Sequence, residues 1–176
     1  MYLTFLIFGM YPCRNVQVRK AKVRLIGSHH KESDGESISK HVEEFEPDVV
    51  CMEANPRLDA AVHTPDVAIV RGATRENNAK FWHIDAYDSD VSMSEVMSNM
   101  SKEEKNSVTG RVGDLESSRE MRDAMREASN EGHEYNLRRE STMFATVCHA
   151  IGKYDKVLVV VGSAHFSQVY ELLTAM

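Results

Sequence analysis

Two histidines occupy matching positions, each three residues after a glycine that ends an apolar run. In VRLIGSHH, Gly27 precedes His30, and in VLVVVGSAH, Gly162 precedes His165. Imidazole is the side chain that binds metals most often in proteins. A single histidine in this position is usually a loop residue or a satisfied core residue. The repeated Gly-Ser-x-His in the same context instead favours one site that contains both imidazoles.

A carboxylate ends a third apolar run, DVVCME, at Glu53. The three runs predict buried strands, and in open α/β sheets sites are built at the edge where the strands end. Two imidazoles and a carboxylate from three strand ends are the ligand set of a catalytic metal with open positions. We therefore predict a divalent ion (Mn, Co or Zn) held by His30, His165 and Glu53. If Glu53 is not a ligand, it is the best candidate general base.

His29 competes with His30 for the inward position in the first turn. Neighbouring residues at a strand end point in opposite directions, so only one of the two is expected to be a ligand. The register of the repeat favours His30.

A long helical pattern near the C-terminus adds two charged candidates. Glu140, Phe144, Val147 and Ile151 share one face, and a carboxylate on an apolar face is costly unless it is paired or serves a site. A helix start that has not yet entered the core explains Glu140 equally well. Arg139 flanks it as a buried ion-pair partner, an anion clamp for a substrate carboxylate, or a solvated residue.

Asp85 ends a further apolar run, FWHID, at the same predicted edge. It is expected to form a turn or to support the site from behind the ligands. Four further histidines have no matching context and are interpreted as structural or exposed: His63, His83, His133 and His149.

The elements alternate between strands and helices. The strands are predicted at Lys22–Gly27, Asp48–Glu53, Phe81–Ala86 and Lys156–Gly162. The helices are predicted at Glu36–Glu46, after Asn55-Pro56, at Glu134–Gly152 and at Phe166–Ala175, with a short element at Val67–Val70 before the polar stretch Arg71–Lys80. This order predicts an α/β fold, with a mostly parallel central sheet covered by helices, in one domain of residues 1–176.

Residues 88–133 interrupt this alternation. They are rich in Ser, Met, Glu and Lys, contain no strand-like run, and predict a helical insertion around 90–133. Its methionines recur on helical faces and are interpreted as core, with an adaptable lid over a peptide-like ligand as the alternative.

The first twelve residues, MYLTFLIFGMYP, are apolar but too short to span a bilayer. They lack the basic start and the small-residue cleavage site of a secretory signal. We interpret them as an extra strand or a leader, and residues 1–20 as a loosely attached segment.

Composition excludes several classes of partner. The net charge is −6 and no basic run is present, which argues against nucleic acid. Three cysteines without paired spacing favour a reducing compartment, so we expect a cytoplasmic protein without a membrane span. The expected partner is a small peptide or small molecule, and a homo-oligomer stays open.

The order of these motifs resembles the TraB-domain family. GSHH followed by PDVVCMEANPRLDA is similar to its opening, a Gly-Thr-x-His turn, a PDVV-x-x-E strand and an Arg soon after. The matching positions are Gly27, His30, Glu53 and Arg57. FWHIDAYDSD resembles the Ile-Asp strand end of the family, which corresponds to Asp85.

The C-terminal half resembles the same family through RRESTMFATVCHAIGKYDKVLVVVGSAHFSQV. Arg139 matches the Arg of a Glu-Arg-Asp/Asn…Met motif, Glu140 its acidic or amide neighbour, Met143 its Met, and His165 the second histidine. The chain departs from the pattern where Arg138 replaces the Glu before the motif Arg.

The resemblance implies a divalent-metal-dependent hydrolase, since TraB proteins are grouped with the TIKI proteases. It also implies a peptide substrate, since TraB is associated with the shutdown of peptide pheromone signalling. Arg139 would then bind a substrate carboxylate or an oxyanion, and Glu140 would orient Arg139 or a ligand histidine. The alternatives are a domain of the same fold that binds a peptide or small ligand without chemistry, and a metal-free structural domain.

Overall fold

The structure of the protein, a computed structural model, describes residues 12–54, 64–85 and 130–176, together with positions 119, 120, 123, 126 and 127. The described strands are β1 (Cys13–Val18), β2 (Ala21–Ser28), β3 (Val49–Met52), β4 (Lys80–His83) and β5 (Lys156–Gly162). The described helices are α1 (Glu32–Phe45), α2 (Pro65–Glu76), α3 (Asn130–Lys153) and α4 (Ser163–Thr174).

The five described strands form one sheet in the order β1-β2-β5-β3-β4. β1 runs antiparallel to β2, whereas β2, β5, β3 and β4 are mutually parallel. The prediction of an α/β fold with a mostly parallel sheet is therefore confirmed.

Helices cover both faces of the sheet because its central strand is apolar on both sides. In β5, Val157, Val159 and Val161 pack with residues of α3 and α4. The alternate residues Leu158 and Val160 pack with residues of α1 and α2 on the opposite face. Successive side chains of a strand point to opposite faces, so a continuous Val/Leu run serves two cores at once.

The second helix, α2, is longer than the sequence pattern indicates. Val67–Val70 was expected as a short element and Arg71–Lys80 as a polar stretch, but one helix covers Pro65–Glu76. Thr64 at the N-cap and proline in the first turn begin it. Val67, Val70 and Ala73 face the sheet while the arginines face solvent, so the polar residues mark the outer face of the helix.

The expectation for residues 1–20 is corrected for their described part. Cys13–Val18 is not loosely attached but pairs along its whole length with β2, in register from Cys13 with Ile26 to Val18 with Ala21. β1 is an edge strand in which three of the six side chains are polar, so it lacks the apolar run that reveals a buried strand. Residues 1–11 lie outside the described part.

The other helices begin earlier than expected. α4 starts at Ser163 rather than Phe166, directly after β5, which places His165 in its first turn. α1 starts at Glu32 and ends where Glu46 adopts a left-handed conformation before Pro47. α3 starts at Asn130, inside the expected insertion.

The rest of the insertion and the expected helix after Asn55-Pro56 lie outside the described residues, apart from five positions between 119 and 127 that are helical. No helix in the described part of the chain is both long and apolar enough to cross a membrane.

Candidate active site

The carboxyl ends of the four parallel strands lie at one edge of the sheet, and the charged candidates meet there. β2 leads into His30, β3 into Glu53, and β4 into Asp85, while β5 leads into the first turn of α4. α3 crosses the same edge and adds two further side chains. The structure thus brings together six residues named from the sequence: His30, Glu53, Asp85, Arg139, Glu140 and His165.

Glu53 lies at the centre of this cluster and is 8% exposed. Its Oε1 accepts a hydrogen bond from Nη2 of Arg139 at 2.6 Å. Its Oε2 accepts one from the backbone N–H of Gly162 at 2.5 Å. Nε2 of His165 lies 3.6 Å from Oε1. Both carboxylate oxygens therefore have donors, and the guanidinium of Arg139 and the imidazole of His165 both lie beside the carboxylate.

These neighbours hold Glu53 in its ionised form. Burial raises the pKa of Glu53, but the charges of His165, Arg139 and His30 and the N–H of Gly162 lower it more, to about 2. A carboxylate with so low a pKa is a weak proton acceptor near neutral pH. The electrostatics therefore favour Glu53 as a ligand or charge partner over Glu53 as a general base.

His165 is oriented by Glu140. Its Nδ1 lies 2.8 Å from Oε1 of Glu140, and its Nε2 lies 3.5 Å from Nη1 of Arg139. Because a carboxylate accepts hydrogen bonds, the close contact assigns the proton of the neutral ring to Nδ1, which donates to Glu140, and leaves the lone pair on Nε2. Glu140 is 1% exposed, so the carboxylate on the apolar face of α3 is a buried partner of this imidazole.

Arg139 lies between two carboxylates. It donates from Nη2 and Nε to Asp85, at 2.7 and 3.3 Å, and from Nη2 to Glu53. The side chain of Arg139 is 13% exposed. Of the three roles considered for Arg139, these contacts match the buried ion-pair partner. Asp85 correspondingly fixes the guanidinium from the side opposite the histidines.

His30, and not His29, faces Glu53. A methyl group added at Gly162 would lie 3.2 Å from Nε2 of His30 and 3.2 Å from Oε2 of Glu53, so both atoms converge on that glycine. His29 instead donates its backbone N–H to Asp34, and its ring Nδ1 is 4.0 Å from the same carboxylate.

The ring of His30 has a second carboxylate, Asp66, on its other nitrogen, with Nδ1 3.1 Å from Oδ2. Burial lowers the pKa of His30, but the hydrogen bond to Asp66 and the charges of Glu53, Asp66 and Asp34 raise it more. The net pKa of His30 therefore lies above its usual value.

Asp66 and Asp34 were missed by the sequence analysis. Both are fully buried, Asp66 in the first turn of α2 and Asp34 in the first turn of α1. Thr-Pro-Asp signals a helix start with an acid in its first turn. No spacing in the sequence, however, shows that this turn reaches the end of β2.

The two glycines of the repeat have different roles. At Gly27 a methyl group would lie 2.6 Å from Pro12, so this glycine allows the segment before β1 to approach, and its N–H donates to the Pro12 carbonyl at 2.9 Å. At Gly162 the missing side chain leaves room for the polar atoms of the cluster. Arg57, the remaining supporting candidate, lies outside the described residues.

The donor set fits a divalent ion in its chemistry. Two imidazole nitrogens and an ionised carboxylate converge beside a glycine, and each imidazole binds a carboxylate through its other nitrogen, as metal-binding histidines generally do. The fit is one of donor type and not of spacing, because in the described part of the chain no three His, Cys, Asp or Glu side chains are grouped closely enough to hold a metal ion. In this arrangement Arg139 supplies the positive charge that Glu53 requires.

The fold and the site together define an α/β protein with a histidine- and carboxylate-lined cluster at the carboxyl edge of its sheet. The chain matches no family model, and it has no significant match among curated proteins or solved structures. The likeness to the TraB-domain family therefore rests on the quoted motifs alone.

Proposed function

We propose that this chain is a divalent-metal-dependent hydrolase that acts on a small peptide. The observation that carries the proposal is the convergence of His30, His165 and Glu53 beside Gly162, at the edge where open α/β sheets build their sites. The peptide substrate is supported by the resemblance to the TraB-domain family.

The residues that would hold the metal are His30 and His165, through Nε2, and Glu53. When bound, the metal would lower the pKa of a water to about 7 and polarise the scissile carbonyl. Glu53 supplies the negative charge of the ligand set, since its pKa of about 2 keeps it ionised. Glu140 holds the ring of His165 so that its Nε2 lone pair faces the site.

Arg139 would act on the substrate. Its guanidinium is held by Asp85 and Glu53 and borders Nε2 of His165. A guanidinium fixed in this way is suited to bind a peptide carboxylate or to stabilise the oxyanion that develops at the scissile carbonyl. Asp85 would hold the guanidinium in place if Glu53 served as a metal ligand.

One observation favours a second candidate, a domain that binds a peptide or small ligand without chemistry. Arg139 already pairs with Glu53 and Asp85, so the buried carboxylates are compensated without any metal. In that case the cluster would serve to recognise the charged ends of a ligand.

A peptide library incubated with the protein and Mn²⁺, Co²⁺ or Zn²⁺ tests the first proposal against the second. We expect metal-dependent cleavage. His30→Ala and His165→Ala should each reduce it by more than the roughly 10–100-fold that loss of an orienting partner usually costs, because each removes a ligand itself. His29→Ala is the matched control and should retain cleavage, because its ring lies against Asp34. Ligand binding without turnover under every metal would refute the hydrolase and support the binding domain.

Equilibrium dialysis on the same variants separates loss of metal from loss of chemistry. About one equivalent of metal per chain is expected for the unsubstituted protein and for His29→Ala at neutral pH. Binding should weaken as pH falls through the pKa of His30, which is raised above 6.5, because an imidazole must be neutral to bind a metal. If His29→Ala alone removed the metal, the assignment of the first ligand would be wrong.

A further inference from the structure

We propose that Asp66 is a positioning residue that sets the tautomer and the ring orientation of His30, so that the Nε2 lone pair of His30 faces Glu53. This inference depends on the proposed function only in treating His30 as a metal ligand. Neither the repeated histidine motif nor the likeness to the TraB-domain family includes Asp66.

The contact between the two side chains defines the tautomer. Nδ1 of His30 lies 3.1 Å from Oδ2 of Asp66, which has no exposed surface. The same carboxylate accepts hydrogen bonds from the hydroxyl groups of Thr64 and Ser28, so its oxygens act as acceptors. An ionised carboxylate only accepts hydrogen bonds, so Nδ1 must carry the proton and Nε2 the lone pair.

Asp66 itself is held in place by two hydroxyl groups. Thr64 Oγ1 donates to Oδ1 at 2.6 Å, and Ser28 Oγ donates to Oδ2 at 2.9 Å. The carboxylate therefore has a partner on both oxygens, and rotation about its terminal bond would break these contacts. Since Ser28 ends β2, Asp66 also connects the start of α2 to the strand that presents His30.

The backbone at His30 is held in an unusual conformation by the same group of residues. His30 has φ 59°, in the left-handed region that costs a non-glycine residue free energy. Its N–H donates to Ser28 Oγ at 2.9 Å, and Asp34 accepts from the N–H groups of His29 and Lys31 at 2.6 and 3.3 Å. Strain of this kind persists where neighbouring contacts require it, and it occurs most often at functional sites.

The two histidines of the cluster are each held by a carboxylate, and the two carboxylates come from different helices. Glu140 of α3 binds Nδ1 of His165, and Asp66 of α2 binds Nδ1 of His30, so both Nε2 atoms are directed toward Glu53. An orienting carboxylate behind each imidazole is the arrangement that fixes the tautomer of ligand histidines in metal sites.

Nitrogen-15 NMR of the histidine rings tests the proposal in the metal-free protein. At pH about 9, where imidazoles are mostly neutral, we expect the His30 ring to be mainly the Nδ1–H tautomer, with its signals assigned from His30→Ala. Asp66→Asn should reduce the Nδ1–H fraction to less than half, because the amide can donate to Nδ1. Asp66→Glu should restore it in part.

Glu140→Gln is the matched control, since it should change the tautomer of His165 and leave that of His30 unchanged. A His30 ring that is mainly Nε2–H in the unsubstituted protein would overturn the proposal. So would a tautomer ratio that is the same in Asp66→Asn. The measurement on the unsubstituted protein decides the question even if Asp66→Asn does not fold.

Dialysis against Zn²⁺ gives a second readout. Asp66→Asn should weaken binding by 10–100-fold, the usual cost of losing an orienting partner of a ligand histidine. If the unsubstituted protein binds no metal but shows the expected tautomer, the metal part of the proposed function fails and the role of Asp66 stands. If metal binds tightly and the tautomer is unaffected by Asp66→Asn, the role of Asp66 fails alone.

Discussion

Arg139 is the residue on which the charge balance of the site depends. Its guanidinium is the positive group between the buried carboxylate of Glu53, at 2.6 Å, and the partly buried carboxylate of Asp85, at 2.7 Å. Removing one member of a buried ion pair leaves the other charge without compensation, which is far more costly than losing a pair in solvent. Arg138, the next residue on the same helix, has a side chain that is 66% exposed and lies 3.8 Å from Glu134.

The two adjacent arginines therefore provide a matched comparison. We expect Arg139→Met to lower the free energy of unfolding by about 3–5 kcal/mol, because Glu53 and Asp85 lose their shared cation. Arg138→Met should change it by less than about 0.5 kcal/mol, as is usual at exposed positions. Urea unfolding of the metal-free protein measures both.

Arg139→Lys separates charge from shape at this position. An ammonium keeps the charge but cannot copy the planar fork that contacts Asp85 through two nitrogens. The free energy of unfolding of Arg139→Lys should therefore lie between that of the unsubstituted protein and that of Arg139→Met. Equal effects of the methionine changes at positions 138 and 139 would show that the buried pairs contribute nothing to stability.

At the scale of the elements, apolar runs were sufficient to predict the buried strands. The sequence predicts β5 with its observed bounds, β2 and β3 to within one residue at each end, and β4 to within three residues. β1 and the outer turns of α2 were not predicted, because both expose mostly polar side chains. An edge strand and a helix that covers one face of a sheet carry a weaker apolar signal than a strand buried on both sides.

The same limit applies to the site. His30, Glu53 and His165 were identifiable because each follows an apolar strand, and strand ends meet at one edge in a parallel sheet. Asp66 and Asp34 were not, because each belongs to the first turn of a helix, and only the packing of that helix brings its carboxylate to the end of β2. Contacts between residues of separate elements do not produce a regular spacing that can be recognised in the sequence.

Gly162 joins β5 directly to α4 and offers an element-scale test. An alanine methyl there would lie 3.2 Å from both Glu53 Oε2 and His30 Nε2, which is tighter than ordinary contact. Alanine is also a poor N-cap, and Gly162 is the N-cap of α4. We expect Gly162→Ala to cost about 1–2 kcal/mol of stability, from the poorer cap and the crowding together.

Gly72→Ala is the control for Gly162→Ala. Gly72 lies within α2, and a methyl group there would meet no atom within 4 Å. Alanine at this position should raise stability by about 0.5–1 kcal/mol, the helix-propensity difference between the two residues. Urea unfolding should thus show a lower free energy of unfolding for Gly162→Ala and a higher one for Gly72→Ala. A gain in stability at both positions would show that the atoms beside Gly162 leave more room than their distances indicate.

At the scale of the whole molecule, the site sets how stability depends on pH. The sheet is buried under helices on both faces, so the charges that meet at its carboxyl edge lie beside two apolar cores. Groups whose pKa differs between the folded and unfolded chains make the stability of the fold depend on pH. The pKa of Glu53 is lowered and that of His30 is raised. The free energy of unfolding of the metal-free protein is therefore expected to fall in acid, the acid limb, and again in base, the basic limb.

The acid limb follows from Glu53. Its pKa is lowered from 4.5 in the unfolded chain to about 2 in the folded one, so its contribution is present above pH 4.5 and is lost as pH falls toward 2. That contribution is on the order of 3 kcal/mol, from 1.36 kcal/mol per pKa unit. Glu53→Gln should therefore lose less stability than the unsubstituted protein between pH 5 and pH 2, by about that amount. Glu36→Gln, at an exposed position, should follow the unsubstituted curve.

The basic limb follows from His30, whose folded pKa is raised above 6.5. Its contribution is complete below pH 6.5 and is lost as pH rises through the folded pKa, because the protonated ring is the form that Asp66 and Glu53 stabilise. Between pH 6.5 and pH 9, the free energy of unfolding, measured with urea, should decline in the unsubstituted protein and equally in His29→Ala. It should not decline in His30→Ala. If the stability of His30→Ala declines as steeply as that of the unsubstituted protein, the carboxylates of Asp66 and Glu53 do not raise the pKa of His30.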